Sequence, residues 1–317
     1  MERIIRPGTG MKSGFFQELG DRAATIAFLF FANVLPRTPL WVIRGVSAVM
    51  FVLIYPVAGY LLGLERRFTR HIRIAFEDDI TPGDARRLAR RALYELLIAN
   101  LEVTYYYHPR NIESLLKNVT IEGIEKIPRA LEGGKGAIGA AAHLGNFQLM
   151  AVRLSKEEFN FSFLVKDPKN PRFGRAWYAY MDTIPVTRIN FTNRVAAAKG
   201  AFRALGRGDF VMMVADEFKR RGGVEVTFFN KTTMLAAGPA AIALKTGAPM
   251  LPINIFRGTK STYRVVVDDP IAFSPTGDTE KDIRRYSQLR TDIMERYVRE
   301  YPHELLWTHD RWKKRRR

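Results

Sequence analysis

No cysteine occurs among the 317 residues, which excludes disulfides, thiolate nucleophiles and cysteine-based zinc sites. Histidine is scarce too. The five residues His71, His108, His143, His303 and His309 are too scattered along the chain to announce a metal cluster, so neither a metal nor a bound cofactor is expected. No G-x-S-x-G elbow is present, which argues against a serine hydrolase. Internal repeats and low-complexity linkers are also missing. Acidic residues are in deficit, 32 against 50 basic, for a net charge of +18. Such a balance predicts attraction to an anionic partner: nucleic acid, an acidic protein or a phospholipid surface. Zinc-finger spacing, RNP-like motifs and a helix-turn-helix with a basic recognition helix are all lacking, so no nucleic-acid partner is expected. At 47% apolar and 26% charged residues, the chain reads as globular and long enough to bury a sizeable core.

Residues 1–80 read as an N-terminal apolar and basic helical segment that associates with a membrane. Ala23 to Leu35 is apolar and stops at Pro36, and Gly45 to Leu64 carries no charge at all. As a helix the second run would span ~30 Å, the thickness of a bilayer core. Pro56 inside it predicts a kink. Arg66, Arg67, Arg70 and Arg73 crowd its far side, the flank that the positive-inside rule assigns to the cytoplasm. Insertion across the bilayer and embedding in its plane both fit. A cleaved signal peptide does not, because no small-residue cleavage site separates the two runs.

Residues 81–317 read as an α/β domain with a basic tail. Thr81, Pro82 and Asp84 mark a helix start, and the helix continues to Pro109 with an apolar stripe of Leu88, Leu93, Leu96 and Leu97. Beyond Asn118 short runs rich in Val, Ile and Phe alternate with helical patterns: VTIEG, GAIGAAA, FSFLV, DFVMMVA, VEVTFF, MLPINIF and YRVVVDD. That alternation predicts a largely parallel sheet covered by helices. A last helix, roughly Glu280 to Tyr301, precedes the tail RWKKRRR, a solvated charge run that also suits lipid headgroups. Trp307 and Trp312 lie beside it, where a membrane interface or core packing would each account for them.

The run GAIGAAA leads directly into His143, after which Gly145 and Asn146 open a helix. A His at the carboxyl end of a strand, followed by a helix N-terminus, is a frequent active-site address in α/β folds. The Gly145 and Asn146 amides would be donors for an oxyanion or a phosphate. Cations cluster twice nearby: Lys166, Lys169, Arg172 and Arg175, then Lys219, Arg220 and Arg221 after Asp216 and Glu217. These suit substrate phosphates or the acidic surface of a carrier protein.

HLGNFQ (143–148), VADE (214–217), VEVTFF (224–229), AAGPAAIALKTGAPMLPI (236–253) and LLWTHDRWKKR (305–315), in that order, resemble the late acyltransferases of bacterial lipid A biosynthesis. The chain is similar as well to the phosphatidylinositol mannoside acyltransferases of the same superfamily. The resemblance implies a glycerophosphate-acyltransferase-like α/β fold and an H-x4-[DE] motif. In it, His143 would deprotonate a glycolipid hydroxyl for attack on the thioester of acyl-carrier protein or acyl-CoA, which act as co-substrates rather than cofactors. A hydroxyl is a poor nucleophile at neutral pH and a His is suited to take its proton. The resemblance further implies anionic membrane lipids as partners, a place at the bacterial inner membrane facing the cytoplasm, and substrate contacts at Gly145, Asn146, Arg175, Asp216 and Glu217.

One position departs from the family pattern: Gln148 stands where the motif has an acid. Gln accepts a hydrogen bond from a His but supplies no charge to an imidazolium. Three readings stay open. Another carboxylate takes over, Glu225 first and Asp216 or Glu217 next; activity is impaired; or the chain is a non-catalytic relative that binds or scaffolds.

Overall fold

The computed structural model describes residues 10–168, 170–183, 186–259 and 262–313. Four helices come first: α1 (Gly10–Val34), α2 (Leu40–Tyr55), α3 (Leu64–Phe76) and α4 (Pro82–Tyr107). Helix α4 starts where the sequence marks it. The Thr81 hydroxyl accepts from the Asp84 amide at 3.1 Å, and Pro82 fills the first turn, where no donor is needed. At Pro56 the second helix loosens into a π-helical turn that runs to Leu61, since proline cannot donate the expected backbone bond.

Next come α5 (Ile112–Asn118), β1 (Val119–Glu122), α6 (Lys126–Leu131), β2 (Ala137–Ala141) and α7 (Phe147–Leu154). They are followed by β3 (Phe161–Val165), α8 (Pro171–Met181), β4 (Thr187–Asn190), α9 (Arg194–Gly206) and β5 (Phe210–Val214). A hairpin of β6 (Gly223–Phe228) and β7 (Lys231–Ala236) leads to α10 (Gly238–Thr246), β8 (Met250–Arg257), β9 (Tyr263–Val267) and α11 (Thr279–Glu300).

Seven strands form one sheet in the order β1-β9-β8-β2-β5-β3-β4. The five from β8 to β4 are mutually parallel; β9 runs antiparallel to β8, and β1 parallel to β9. The expected mostly parallel, helix-covered sheet is therefore present. Alternate residues of its central strands feed two different cores. Ala137, Ala141, Phe210 and Met212 face one, whereas Ile138, Ala140, Val211 and Met213 face the other. Burial on both faces is why these strands read as unbroken apolar runs.

Two strands escape a reading of the sequence. TRIN and KTTMLA, now β4 and β7, have too few apolar residues to stand out. VEVTFF is a strand, but outside the central sheet: among the described residues it pairs with β7 alone, through a two-residue turn. Phe229 and Asn230 both take positive φ there (51° and 55°), the conformation that matches the twist of a tight hairpin. Val226 and Phe228 point inward and Glu225 and Thr227 outward, as strand alternation requires.

Leu40–Leu61 is 22 residues long, has a mean hydropathy of 1.9, and is long and apolar enough to cross a membrane. Only 11% of its apolar window is buried, and Trp41, Val52, Leu53 and Leu61 stand open to the surroundings. Its inner side rests on α4 through Ile43 and Leu101.

A candidate active site at the carboxyl ends of two central strands

Register builds the centre of the site. Strands β2 and β5 are parallel neighbours with Ala141 opposite Val214, so residues two positions past each strand also meet. These are His143 and Asp216. The His143 amide donates to Asp216 Oδ1 at 3.0 Å, and the ring Nδ1 lies 2.7 Å from the same oxygen. A carboxylate offers no proton, so Nδ1 carries the hydrogen and the Nε2 lone pair is left for a substrate.

Asp216 is fully buried, and its other oxygen accepts from Arg311 Nη2, itself fully buried. Arg311 Nε also donates to the Asp216 carbonyl at 3.1 Å. Burial alone would raise the Asp216 pKa, but His143 and Arg311 outweigh it and hold the carboxyl well below its usual range. The aspartate is thus ionised, and one fixed charge supports the imidazole from behind.

The C-terminal segment closes the arrangement. Leu306 N donates to the His143 carbonyl at 2.9 Å, and Gly145 N to the Glu304 carbonyl at 3.0 Å. Buried His71 fastens the segment to α3 through a 2.6 Å bond between Nδ1 and the Trp307 carbonyl. Gly145 sits at φ +61°, where an added Cβ would lie 1.8 Å from the Ile255 carbonyl oxygen. Gly145→Ala is expected to cost about 2 kcal/mol or more, read as a lower thermal midpoint. A midpoint equal to the parent's would show that this turn has slack.

Glu304 Oε1 accepts from the Arg257 amide at 2.7 Å, and burial raises its pKa from 4.5 to about 7. Between those values the folded chain holds a proton that the unfolded chain has lost, so stability falls as pH rises through that window. Glu304→Gln keeps the acceptor and removes the titration. It is expected to gain stability on the order of 2 kcal/mol relative to the parent at pH 8, and little near pH 4. Denaturant midpoints at the two pH values check this.

His143 opens onto a cavity of about 820 Å³. Phe28 and Phe31 from α1, Tyr107 from α4, Phe163 from β3 and Trp177 from α8 give it an aromatic wall. Phe28 meets Phe173, Trp177 and Tyr180 at ring separations of 5.1, 5.5 and 5.8 Å. Among the described residues its lining also carries Lys166, Arg194, Lys219, Arg221 and Lys245, with Glu217 as the one carboxylate.

The residues expected from sequence fall in several places. Asn146 caps α7, accepting from the Leu149 amide at 3.2 Å and donating to the Ala99 carbonyl at 3.0 Å. The Gly145 amide is committed to Glu304, so it is not the free donor expected. Gln148 lies in the first turn of α7, half-buried, on the wall between the large cavity and a smaller one of about 230 Å³. The carboxylate on His143 is Asp216, which takes the place expected for Glu225. Glu225 is exposed on β6 because the alternation of VEVTFF turns its valines and phenylalanine inward. Arg175 is exposed and does not line the cavity: α8 turns Phe173 and Trp177 to it, four residues apart, and Arg175 lies between them on another face. Lys169 and residues 314–317 lie outside the described residues. Trp307 is buried, its Nε1 donating to the Pro302 carbonyl at 2.7 Å, so core packing accounts for it.

Two contributors were missed, Arg311 and His309, although both stand in the segment LLWTHDRWKKR. The His309 ring centre is 4.6 Å from that of His143, and its Nε2 is 3.7 Å from Glu217 Oε1. Burial, then His143 and Arg311, push its pKa down to about 4, so it is neutral at pH 7. Glu217 also holds Lys219 at 2.6 Å. Among the described residues, His143, Glu217 and His309 bring one nitrogen or oxygen each within 4.8 Å of one another, a spacing that could hold a metal ion.

Residues 85–314 match the family model described as bacterial lipid A biosynthesis acyltransferase. A phosphatidylinositol mannoside acyltransferase of Mycolicibacterium smegmatis is 25% identical over 195 residues, 60% of this chain and 60% of that protein. A protein of the same description from Mycobacterium tuberculosis is 26% identical over 138 residues, 42% of this chain and 43% of that one. The matched stretch thus spans less than two thirds of each relative's length.

Proposed function

This chain belongs to the bacterial lipid A biosynthesis acyltransferase family, and we propose that it transfers a fatty acyl group from a thioester to a hydroxyl of a glycolipid, with His143 as general base. One observation carries the reading: a His whose Nδ1 is locked on a buried, Arg-paired aspartate lies on the wall of a large aromatic cavity.

The acceptor hydroxyl gives its proton to His143 Nε2 as its oxygen attacks the thioester carbonyl. Asp216 stabilises the imidazolium that forms, and general-base assistance of this kind contributes about a hundred- to ten-thousand-fold. The oxyanion of the tetrahedral intermediate takes donors from the first turn of α7, at Phe147 and Gln148. Collapse breaks the carbon–sulfur bond, and the departing thiolate takes the proton from His143. No covalent acyl-enzyme is required, in keeping with a chain without cysteine.

The acyl chain fits the aromatic cavity, where each methylene removed from water contributes about 0.8 kcal/mol. The basic lining residues suit phosphates of the acceptor, of coenzyme A, or of the pantetheine arm of acyl-carrier protein. The exposed apolar α2 supports attachment to a membrane, which we take as the bacterial inner membrane with the site facing the cytoplasm, where acyl thioesters are made. The non-catalytic reading rested on Gln148. With Asp216 on the imidazole, a carboxylate is supplied and that argument loses its main support.

The test is acyl transfer by the purified full chain, with acyl-carrier protein or acyl-CoA as donor and bacterial glycolipid extract as acceptor, followed by mass spectrometry. A product heavier by one acyl chain is expected, and its absence with both donors would overturn the reading. Gln148→Glu is expected to change the rate by less than about tenfold, because the side chain is not the partner of His143. A gain of several hundredfold would instead identify Gln148 as an impairment.

A further inference from the structure

We infer that His143, Glu217 and His309 form a binding site for a zinc-like divalent cation, which takes the base out of use while it is bound. The consequence rests on the reading of His143 as base; the binding does not. Zinc takes His nitrogen and carboxylate oxygen at about 2.0–2.2 Å, usually as three protein ligands with an open fourth position. Tetrahedral ligands at such lengths lie roughly 3.3 Å apart. His309 Nε2 and Glu217 Oε1 are already 3.7 Å apart, and the widest separation in the group is within 4.8 Å. All three side chains are half-buried rather than enclosed, so closing that gap needs only small rotations.

The group is also backed as a metal ligand should be. Asp216 takes the Nδ1 hydrogen of His143 at 2.7 Å, which fixes the ring and aims Nε2 forward. Lys219 holds the other carboxylate oxygen, Oε2, at 2.6 Å, which leaves Oε1 facing His309. The donor set, two imidazoles and a carboxylate without thiolate, suits zinc, and does not suit magnesium or calcium. The large cavity leaves the fourth position open to water. A bound cation would occupy the lone pair that the acceptor hydroxyl needs, so transfer stops.

The experiment is calorimetric titration of the untagged full chain in detergent with zinc chloride, repeated with cobalt to read the visible absorption of a four-coordinate ion. One equivalent is expected, with an affinity about tenfold or more weaker in each of His309→Ala and Glu217→Gln, and unchanged in His108→Ala. An absence of stoichiometric binding, or binding unaltered in both His309→Ala and Glu217→Gln, overturns the site. Zinc bound at saturation with acyl transfer undiminished overturns the inhibition. A chain that binds zinc through these residues yet transfers no acyl group when zinc is absent would instead sink the acyltransferase reading and leave the metal site standing.

Discussion

Replacing His143 with alanine is expected to lower kcat for acyl transfer by about a hundred- to ten-thousand-fold. The group that takes the acceptor's proton is then gone, and no neighbour replaces it. His309 is nearest, but burial and Arg311 still hold its pKa down once His143 is gone, and the residues that fix His143 do not fix it. Affinity for the glycolipid is expected to change little, because the imidazole acts on the reacting atoms whereas the cavity and its basic lining residues hold the rest of the substrate. The fold should survive: the ring is half-buried, packs on Phe147 and His309, and leaves Asp216 still paired with Arg311. Single-turnover transfer and a thermal melt on the same preparation give both readouts. Transfer within about tenfold of the parent would remove His143 as base.

Asp216→Asn is expected to cost as much in rate, and stability as well. The amide presents either an oxygen without charge or a donor that meets the Nδ1 hydrogen, so the imidazolium loses its support. In serine-protease triads the equivalent change costs about ten-thousand-fold. Arg311 is meanwhile left fully buried with its charge uncompensated, which costs about 3–5 kcal/mol. The two effects separate in the double variant Asp216→Asn with Arg311→Met, which removes the stranded cation. Stability is expected to return in part while transfer stays low, and recovery of both would show that Asp216 acts only through folding. A pH titration gives a further check. The Asp216 carboxyl lies well below its usual pKa in the folded chain, so its stabilisation is complete above the unfolded value near 4 and is lost as pH falls further. The acid limb of the parent's stability curve is therefore expected to be steeper than that of the double variant.

Much of this site was legible in the sequence because it rests on local patterns. The apolar runs announced the central strands, since a strand buried on both faces has no polar side to show. His143 followed one such run directly, and Gly145 marked the turn that α7 needs. Asp216 and Glu217 stood among the candidate acids for the same reason, at the end of DFVMMVA. Glu225 stood first as an acid in an alternating strand that would need a partner if turned inward, and by likeness to the mannoside acyltransferases. Its own strand argued otherwise, because Val226 and Phe228 fix the inward face and leave Glu225 on the other. Gln148 looked like a missing partner only so long as the partner was sought one helical turn away.

Composition and periodicity by themselves determined the class of the fold, the uncharged apolar run Gly45–Leu64 and the exclusion of thiolate chemistry, and they singled out His143 as a candidate. Each of those depends on neighbours within a few residues. The company of His143 was decided by tertiary structure. Asp216 is 73 positions away and meets it because β2 and β5 pair side by side with Ala141 opposite Val214. Arg311 and His309 arrive from the far end of the chain, drawn in by the Leu306 bond to the His143 carbonyl and by His71 on Trp307. Strand order and chain return are set by which apolar faces bury one another across the whole sheet, and no window of adjacent residues carries that information.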